Sequence, residues 1–269
     1  MKPGKRDLGK SKIACAVLLS AASIVVFAGA ASAAEVRVEG LTVFYKAKTG
    51  EVNTVVVTHI PGSGDPGASS VSTIQIRDTT APTTPLSGCT RNGPDGVACR
   101  VQVPAEVLPR VSLDLGNKDD QASQTTASSQ FSLPMDIHGG LGDDTLSGGF
   151  NGDTIDGGPG GDTIDGDDGD DVLKGGSGND RIKGGRGSDR IDGELGDDLE
   201  LDGGSGDDVI HGGPGNDHLI GGAGKDQLFG DIGKDTLLSR DGEVDALDCG
   251  SGDDTVDRDS ADSTKHCRR

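Results

Sequence analysis

Between Gly139 and Leu238 the chain repeats a nine-residue pattern, and this repeat restricts the possible folds more than any other feature. The blocks read GGLGDDTLS, GGFNGDTID, GGPGGDTID, GDDGDDVLK, GGSGNDRIK and GGRGSDRID, then a ten-residue GELGDDLELD, then GGSGDDVIH, GGPGNDHLI, GGAGKDQLF and GDIGKDTLL. The sixth position is always Asp: Asp144, Asp153, Asp162, Asp171, Asp180, Asp189, Asp198, Asp208, Asp217, Asp226 and Asp235. Outside the ten-residue block the eighth is apolar: Leu146, Ile155, Ile164, Leu173, Ile182, Ile191, Ile210, Leu219, Leu228 and Leu237. Glycines allow the φ > 0 conformations of a tight turn. A three-residue strand then crosses with its one apolar side chain inward. Each block makes half a coil, two make a full coil, and a coil buries its apolar face only against its neighbours.

The core of such a fold is a thin ladder of Leu, Ile and Val, which explains why aromatics are only 2% of the chain. The 46 glycines have no G-X-Y period, which excludes a collagen helix. A flexible acidic linker is excluded too, because a linker has no reason to keep an apolar residue two places after each Asp. Net charge is −20, which disfavours nucleic acid and anionic membranes as partners and suits a chain that collects cations.

Stacked coils lie about 4.8 Å apart, so the Asp residues face one another along each edge. Ca²⁺ relieves that repulsion by taking six to eight oxygens from carboxylates and backbone carbonyls. The pattern G-G-x-G-x-D-x-U-x reads as a calcium-binding parallel β-roll. About ten divalent ions would nearly cancel the formal charge of −24 that the chain has without residues 1–33.

The array resembles the hemolysin-type, or RTX (repeats in toxin), calcium-binding family. The resemblance implies an all-β, right-handed parallel β-roll with several Ca²⁺ ions between turns, folding coupled to calcium, and secretion. The eleven sixth-position Asp residues match the family's ligand Asp one by one. The departures are Asn151-Gly152, which shifts a glycine, and Asp167, Glu194 and Asp231, which replace second glycines. Glu200 takes an apolar position in the ten-residue block, so Leu199 or Leu201 must turn inward, with a bulge and weaker sites on either side.

Residues 1–33 read as a secretory signal peptide: Lys2, Lys5, Arg6, Lys10 and Lys12, an apolar run from Ile13, then Ala31-Ser32-Ala33. An uncleaved anchor is the alternative, because the run is long. With cleavage no stable membrane span remains, and the product is extracellular. The P-loop spelling Gly4-Lys5-Arg6-Asp7-Leu8-Gly9-Lys10-Ser11 falls inside this leader with no strand before it and is coincidental. Cys15 leaves with the leader, so the mature chain keeps an even set of four cysteines in an oxidising compartment.

Residues 34–138 form a β-rich region, either irregular coils of one continuous solenoid or a small sandwich. Short apolar runs mark its strands: Val36–Val38, Leu41–Tyr45, Val55–Val57, Ile74–Ile76, Val97–Cys99 and Val111–Leu113. Leu113 to Asp120 looks like a decayed first repeat, followed by an expanded Ser/Thr/Gln loop over 121–130. Residues 239–269 read as degenerate capping coils that continue the D-x-U rhythm at Asp245 and Asp254. Proximity favours the disulfides Cys89–Cys99, worth roughly 3 kcal/mol in the loop-entropy model, and Cys249–Cys267, over pairing across the chain.

No catalytic machinery is expected. Neither H-E-x-x-H nor G-x-S-x-G occurs, and the Gly-Ser-Gly triplets at 176–178, 204–206 and 250–252 sit in glycine turns. His211 and His218 read as exposed polar residues rather than a transition-metal site. The expected product is a non-enzymatic surface, matrix or adhesion module whose protein or polysaccharide partner the residues do not name. The alternative is an accessory enzyme or polymer-binding protein with its activity in residues 34–138.

Overall fold

The computed structural model describes residues 35–39, 42–47, 53–60, 70–78, 84–85, 89–91, 96–103, 110–124 and 133–267. The leader expected over residues 1–33 lies outside them. The described residues form 24 strands and no helix. The first nine are β1 (Glu35–Glu39), β2 (Thr42–Lys46), β3 (Thr54–Ile60), β4 (Ser70–Asp78), β5 (Thr84–Pro85), β6 (Cys89–Arg91), β7 (Gly96–Val103), β8 (Arg110–Asp114) and β9 (Gln121–Gln124). The next eight are β10 (Met135–His138), β11 (Thr145–Gly149), β12 (Thr154–Pro159), β13 (Thr163–Asp167), β14 (Val172–Ser177), β15 (Arg181–Arg186), β16 (Arg190–Leu195) and β17 (Glu200–Ser205). The last seven are β18 (Val209–His211), β19 (His218–Ala223), β20 (Gln227–Phe229), β21 (Thr236–Ser239), β22 (Ala246–Asp248), β23 (Thr255–Arg258) and β24 (Ser263–Lys265).

These strands make two 12-stranded sheets. From β8 onward, even strands fall in one sheet and odd strands in the other, and every neighbour pairs in parallel. Ile155 pairs with Leu173, and Ile164 with Ile182, so one coil is two blocks. The chain is a parallel β-solenoid, as the repeat implies. The core is one file of inward side chains per sheet: Ile137, Ile155, Leu173, Ile191, Ile210, Leu228 and Leu247 in one, Leu146, Ile164, Ile182, Leu201, Leu219 and Leu237 in the other, all buried.

The same sheets extend beyond the array at both ends. β2 pairs in parallel with β8, and β3 with β9, so these segments stack as coils. The other N-terminal strands differ. β1 and β2 are antiparallel, as are β3, β4, β7 and β6 in succession, so the roll begins with an antiparallel edge. The expected loop over 121–130 needs correction: residues 121–124 are strand β9, and the Gln124 amide bonds the backbone of Leu133 on both sides. At the other end Leu247 pairs with Thr264, so a polar residue stops the apolar file. Cys249 and Cys267 form a disulfide there, with Cα atoms 5.0 Å apart. Cys89 lies opposite Cys99 across β6 and β7.

The ten-residue block is accommodated by expelling one side chain. Leu201 is buried and Leu199 exposed, while Glu200 pairs with Arg181. Before the block Thr163 pairs with Arg181, a step of 18 residues; across it the step is 19.

Two glycine positions carry different constraints. At the second, glycines such as Gly176 and Gly185 have φ of 114° and 107°, whereas Asp167, Glu194 and Asp231 have 69°, 69° and 64°. A side chain fits there by moving into the left-handed basin, at about 1 kcal/mol. Each of these acids also bonds a side chain 20 residues earlier: Ser147, Lys174 and His211. A Cβ built on Gly185, or on Gly178 at the fourth position, would overlap a carbonyl oxygen of the coil before, that of Asp167 or Gly160, but only the second position has side-chain residues in the array held at φ of 64–69°. Gly178→Ala should therefore lower the thermal midpoint measured in calcium more than Gly185→Asn, which should cost about 1 kcal/mol.

Candidate metal centre

The sixth-position Asp residues sit where each turn enters a strand, and all eleven are buried. They form two columns, one along each edge of the roll. In the first, the backbone N–H of Asp144 donates to Asp162 Oδ1 at 2.7 Å, and Asp162 to Asp180 Oδ1 at 2.7 Å. The column continues through Asp198, Asp217 and Asp235. In the second, Asp153 donates to Asp171 Oδ1, and the pattern runs on through Asp189, Asp208 and Asp226. Each carboxylate is thus pinned by the backbone of the preceding coil. The ladder runs unbroken through the ten-residue block: Asp198 Oδ1 accepts from the Asp180 N–H at 3.0 Å, and the Asp198 N–H donates to Asp217 Oδ1 at 2.9 Å.

The second carboxylate oxygen is different. Oδ2 of all eleven is buried and accepts no hydrogen bond. It faces the first glycine of its own block and, at every one but Asp226, a carbonyl of the next coil. A Cβ built on Gly139 would overlap both Asp144 Oδ2 and the Gly157 carbonyl oxygen. The same holds at Gly157 for Asp162 and Gly175, and at Gly175 for Asp180 and Gly193. Each such turn therefore holds a small cradle lined by one bare anionic oxygen and one carbonyl oxygen. A buried, unbonded carboxylate oxygen is costly unless something positive meets it. A hard cation that takes carboxylate and carbonyl oxygens fits this donor set.

Among the described residues no three His, Cys, Asp or Glu side chains converge as a metal site, so a cation in these cradles would be held by the turn's carboxylate and backbone carbonyls. His211 and His218 lie on different sheets; His211 stacks on Phe229 at 4.4 Å and bonds Asp231 at 3.1 Å.

Four further carboxylates join the columns. Asp120 heads the first, receiving the N–H of Asn53 and donating to Asp144 Oδ1, and Asp254 ends it, accepting from Asp235 at 3.0 Å. Asp245 and Asp262 end the second. Oδ2 of Asp245 and Asp254 is bare like those of the array. Asp120 and Asp245 stand two places before the inward Ala122 and Leu247, and Asp254 keeps Gly250 and Gly252 of the repeat as well; Asp262 precedes the exposed Thr264 and had no such signal.

Burial holds the column carboxyls well above their usual 3.8, with the backbone hydrogen bond only partly offsetting it. They reach about 6 at Asp144, Asp217 and Asp226, about 7 at Asp153, Asp162, Asp198, Asp208 and Asp235, and about 8 at Asp171. Asp180, Asp189 and Asp245 are raised for the same reason.

The sequence model of the RTX calcium-binding nonapeptide repeat (4 copies) matches residues 136–164, 165–200 and 202–237. The array therefore carries repeats of this type. A search of curated proteins found no match.

The raised carboxyls fix the sign of the pH response. Between about 4 and 8 the metal-free roll binds more protons than the unfolded chain, so its stability falls as pH rises. Metal removal from calcium-loaded protein should therefore lose more β signal at pH 8 than at pH 5.5. Calcium affinity should move the opposite way, weakening as pH drops, with protons released on binding. Circular dichroism of metal-stripped protein and pH-stat titration check both; β signal that grows with pH without metal would contradict the assignment.

Proposed function

We propose that this is a secreted, non-enzymatic protein that calcium orders outside the cell and that serves there as a structural surface, matrix or adhesion module. The observation that carries the reading is the run of eleven buried Asp Oδ2 atoms, none with a hydrogen-bond partner and ten of them sharing a cradle with a backbone carbonyl oxygen. Without a cation, like charges stack along both edges and oppose the coil spacing that the core requires. Ca²⁺ between successive turns turns that repulsion into a bridge. Mg²⁺ suits the cradle poorly, because it demands a near-octahedral shell and gives up its waters reluctantly.

Secretion is supported by the signal-like leader, and by the calcium available outside the cell. The non-catalytic reading is supported by the lack of hydrolase and protease motifs in the sequence. It is also supported at the N-terminal end, where β2, β3, β8 and β9 stack as further coils of the roll.

The decisive experiment is far-UV circular dichroism of the chain without residues 1–33, first in chelator and then titrated with Ca²⁺ and separately with Mg²⁺. A transition from disorder to β structure at far lower Ca²⁺ than Mg²⁺ is expected. A spectrum indifferent to calcium would reject the reading. Asp180→Ala should bind one fewer ion and raise the calcium midpoint of that transition.

A further inference from the structure

Three of the four column ends are closed by groups that differ from those along the columns; the fourth, at Asp254, keeps a bare Oδ2. Inside a column, Oδ2 shares its cradle with the carbonyl of the residue five places before the next Asp, as Gly157 for Asp144 and Gly175 for Asp162, at every array Asp but Asp226. At the head of the first column the ladder residue is Asn53, whose N–H donates to Asp120 Oδ1 as the others do to theirs. Leu115, five places before Asp120, supplies the equivalent carbonyl. Asn53 Nδ2 donates to that carbonyl at 3.1 Å and to Asp120 Oδ1 at 3.0 Å, while Asn53 Oδ1 accepts from the Tyr45 hydroxyl at 3.1 Å. Both partners of Nδ2 are pure acceptors, so the amide nitrogen, not the oxygen, must face them. Asn53, Tyr45 and Asp120 are all buried.

The head of the second column repeats the device. Met135 takes the ladder position, its N–H donating to Asp153 Oδ1 at 2.6 Å. The carbonyl five places before Asp153 belongs to Gly148, and Gln124 Nε2 donates to it at 3.4 Å. At the tail of this column Asp262 Oδ1 accepts from Asp245 in the usual way. Its Oδ2, the atom left bare in the array, accepts from Ser239 Oγ at 3.1 Å and Asp259 N at 2.7 Å.

We propose that Asn53, Gln124 and the Ser239–Asp259 pair are metal-free plugs, in which an N–H or O–H of the protein stands where a calcium ion stands in the interior. Calcium then fills the columns only beyond the two head plugs and, in the second column, only as far as the tail plug, and the plugged ends close without it. The proposal rests on the calcium reading above. It explains why a carboxamide replaces the acid at position 53: a carboxylate there would need a cation of its own.

The test is an ion count on the full chain at saturating Ca²⁺, by mass spectrometry of metal after desalting, together with thermal melts. Asn53→Asp should bind one more ion per chain than the unaltered protein. An unchanged count in a folded Asn53→Asp protein overturns the proposal. The reverse substitution gives an independent measure should Asn53→Asp not fold. Asp180→Asn installs an amide inside the array, where it can donate to the Gly193 carbonyl, and should lose one ion yet melt several degrees above Asp180→Ala. If Asp180→Asn keeps the ion or melts no higher than Asp180→Ala, the amide does not replace the cation and the proposal fails. An unaltered chain that binds no calcium would instead remove the calcium reading itself.

Discussion

Everything in this molecule depends on a carboxylate that is half satisfied. In each half-coil one Asp oxygen is held by the N–H of the preceding coil, which fixes the spacing and register of the stack. The other oxygen is left bare in a dry cradle. Two oxygens of one group thus split the work, one as a ruler for the backbone and one as a demand for positive charge. The first glycine of each block follows from that demand, since any Cβ there would fill the cradle. A thin core follows too: one inward Leu or Ile per half-coil is all the strand length allows.

That division explains how an acidic chain can form a solenoid at all. A conventional domain gains most of its stability from a wide apolar interior. Here the apolar file is one side chain wide in each sheet. Surface ion pairs such as Lys174–Glu194 and Arg181–Glu200 tie coil to coil but are exposed and contribute little. The electrostatics of the edges therefore weigh heavily on whether the stack closes, and on the calcium reading proposed above the stability of the roll follows the supply of cations.

Most of this is legible in the residues. The Asp at position six and the apolar residue at position eight identify the coil, the two edges and the core from residue 139 on, because every block repeats the same local solution. The antiparallel start was not legible, since runs such as Ile74–Ile76 reveal a strand but not its direction. Strand β9 was hidden for another reason: Gln121–Gln124 is polar, and only the alanine at 122 turns inward. Asn53 escaped notice because its role depends on Tyr45, Leu115 and Asp120, up to 67 residues away. Asp262 lacked both the flanking glycines and an apolar residue two places on, where Thr264 stands.

The 19-residue step at the ten-residue block has a consequence for how the chain finds its alignment. A stack of identical coils is nearly invariant to sliding by one whole repeat, because every inward residue would meet an equivalent partner. Slippage of that kind is the characteristic hazard of uniform strands. Arg181 pairs with Glu200 at a step of 19, and Gln227 with Ala246 at a step of 19, while Ala246 and Ser263 are only 17 apart. A chain displaced by one coil would set a longer turn over a shorter one and leave a residue with no place. The irregular blocks thus act as phase marks, making one alignment of a repetitive polymer distinguishable from its translated copies.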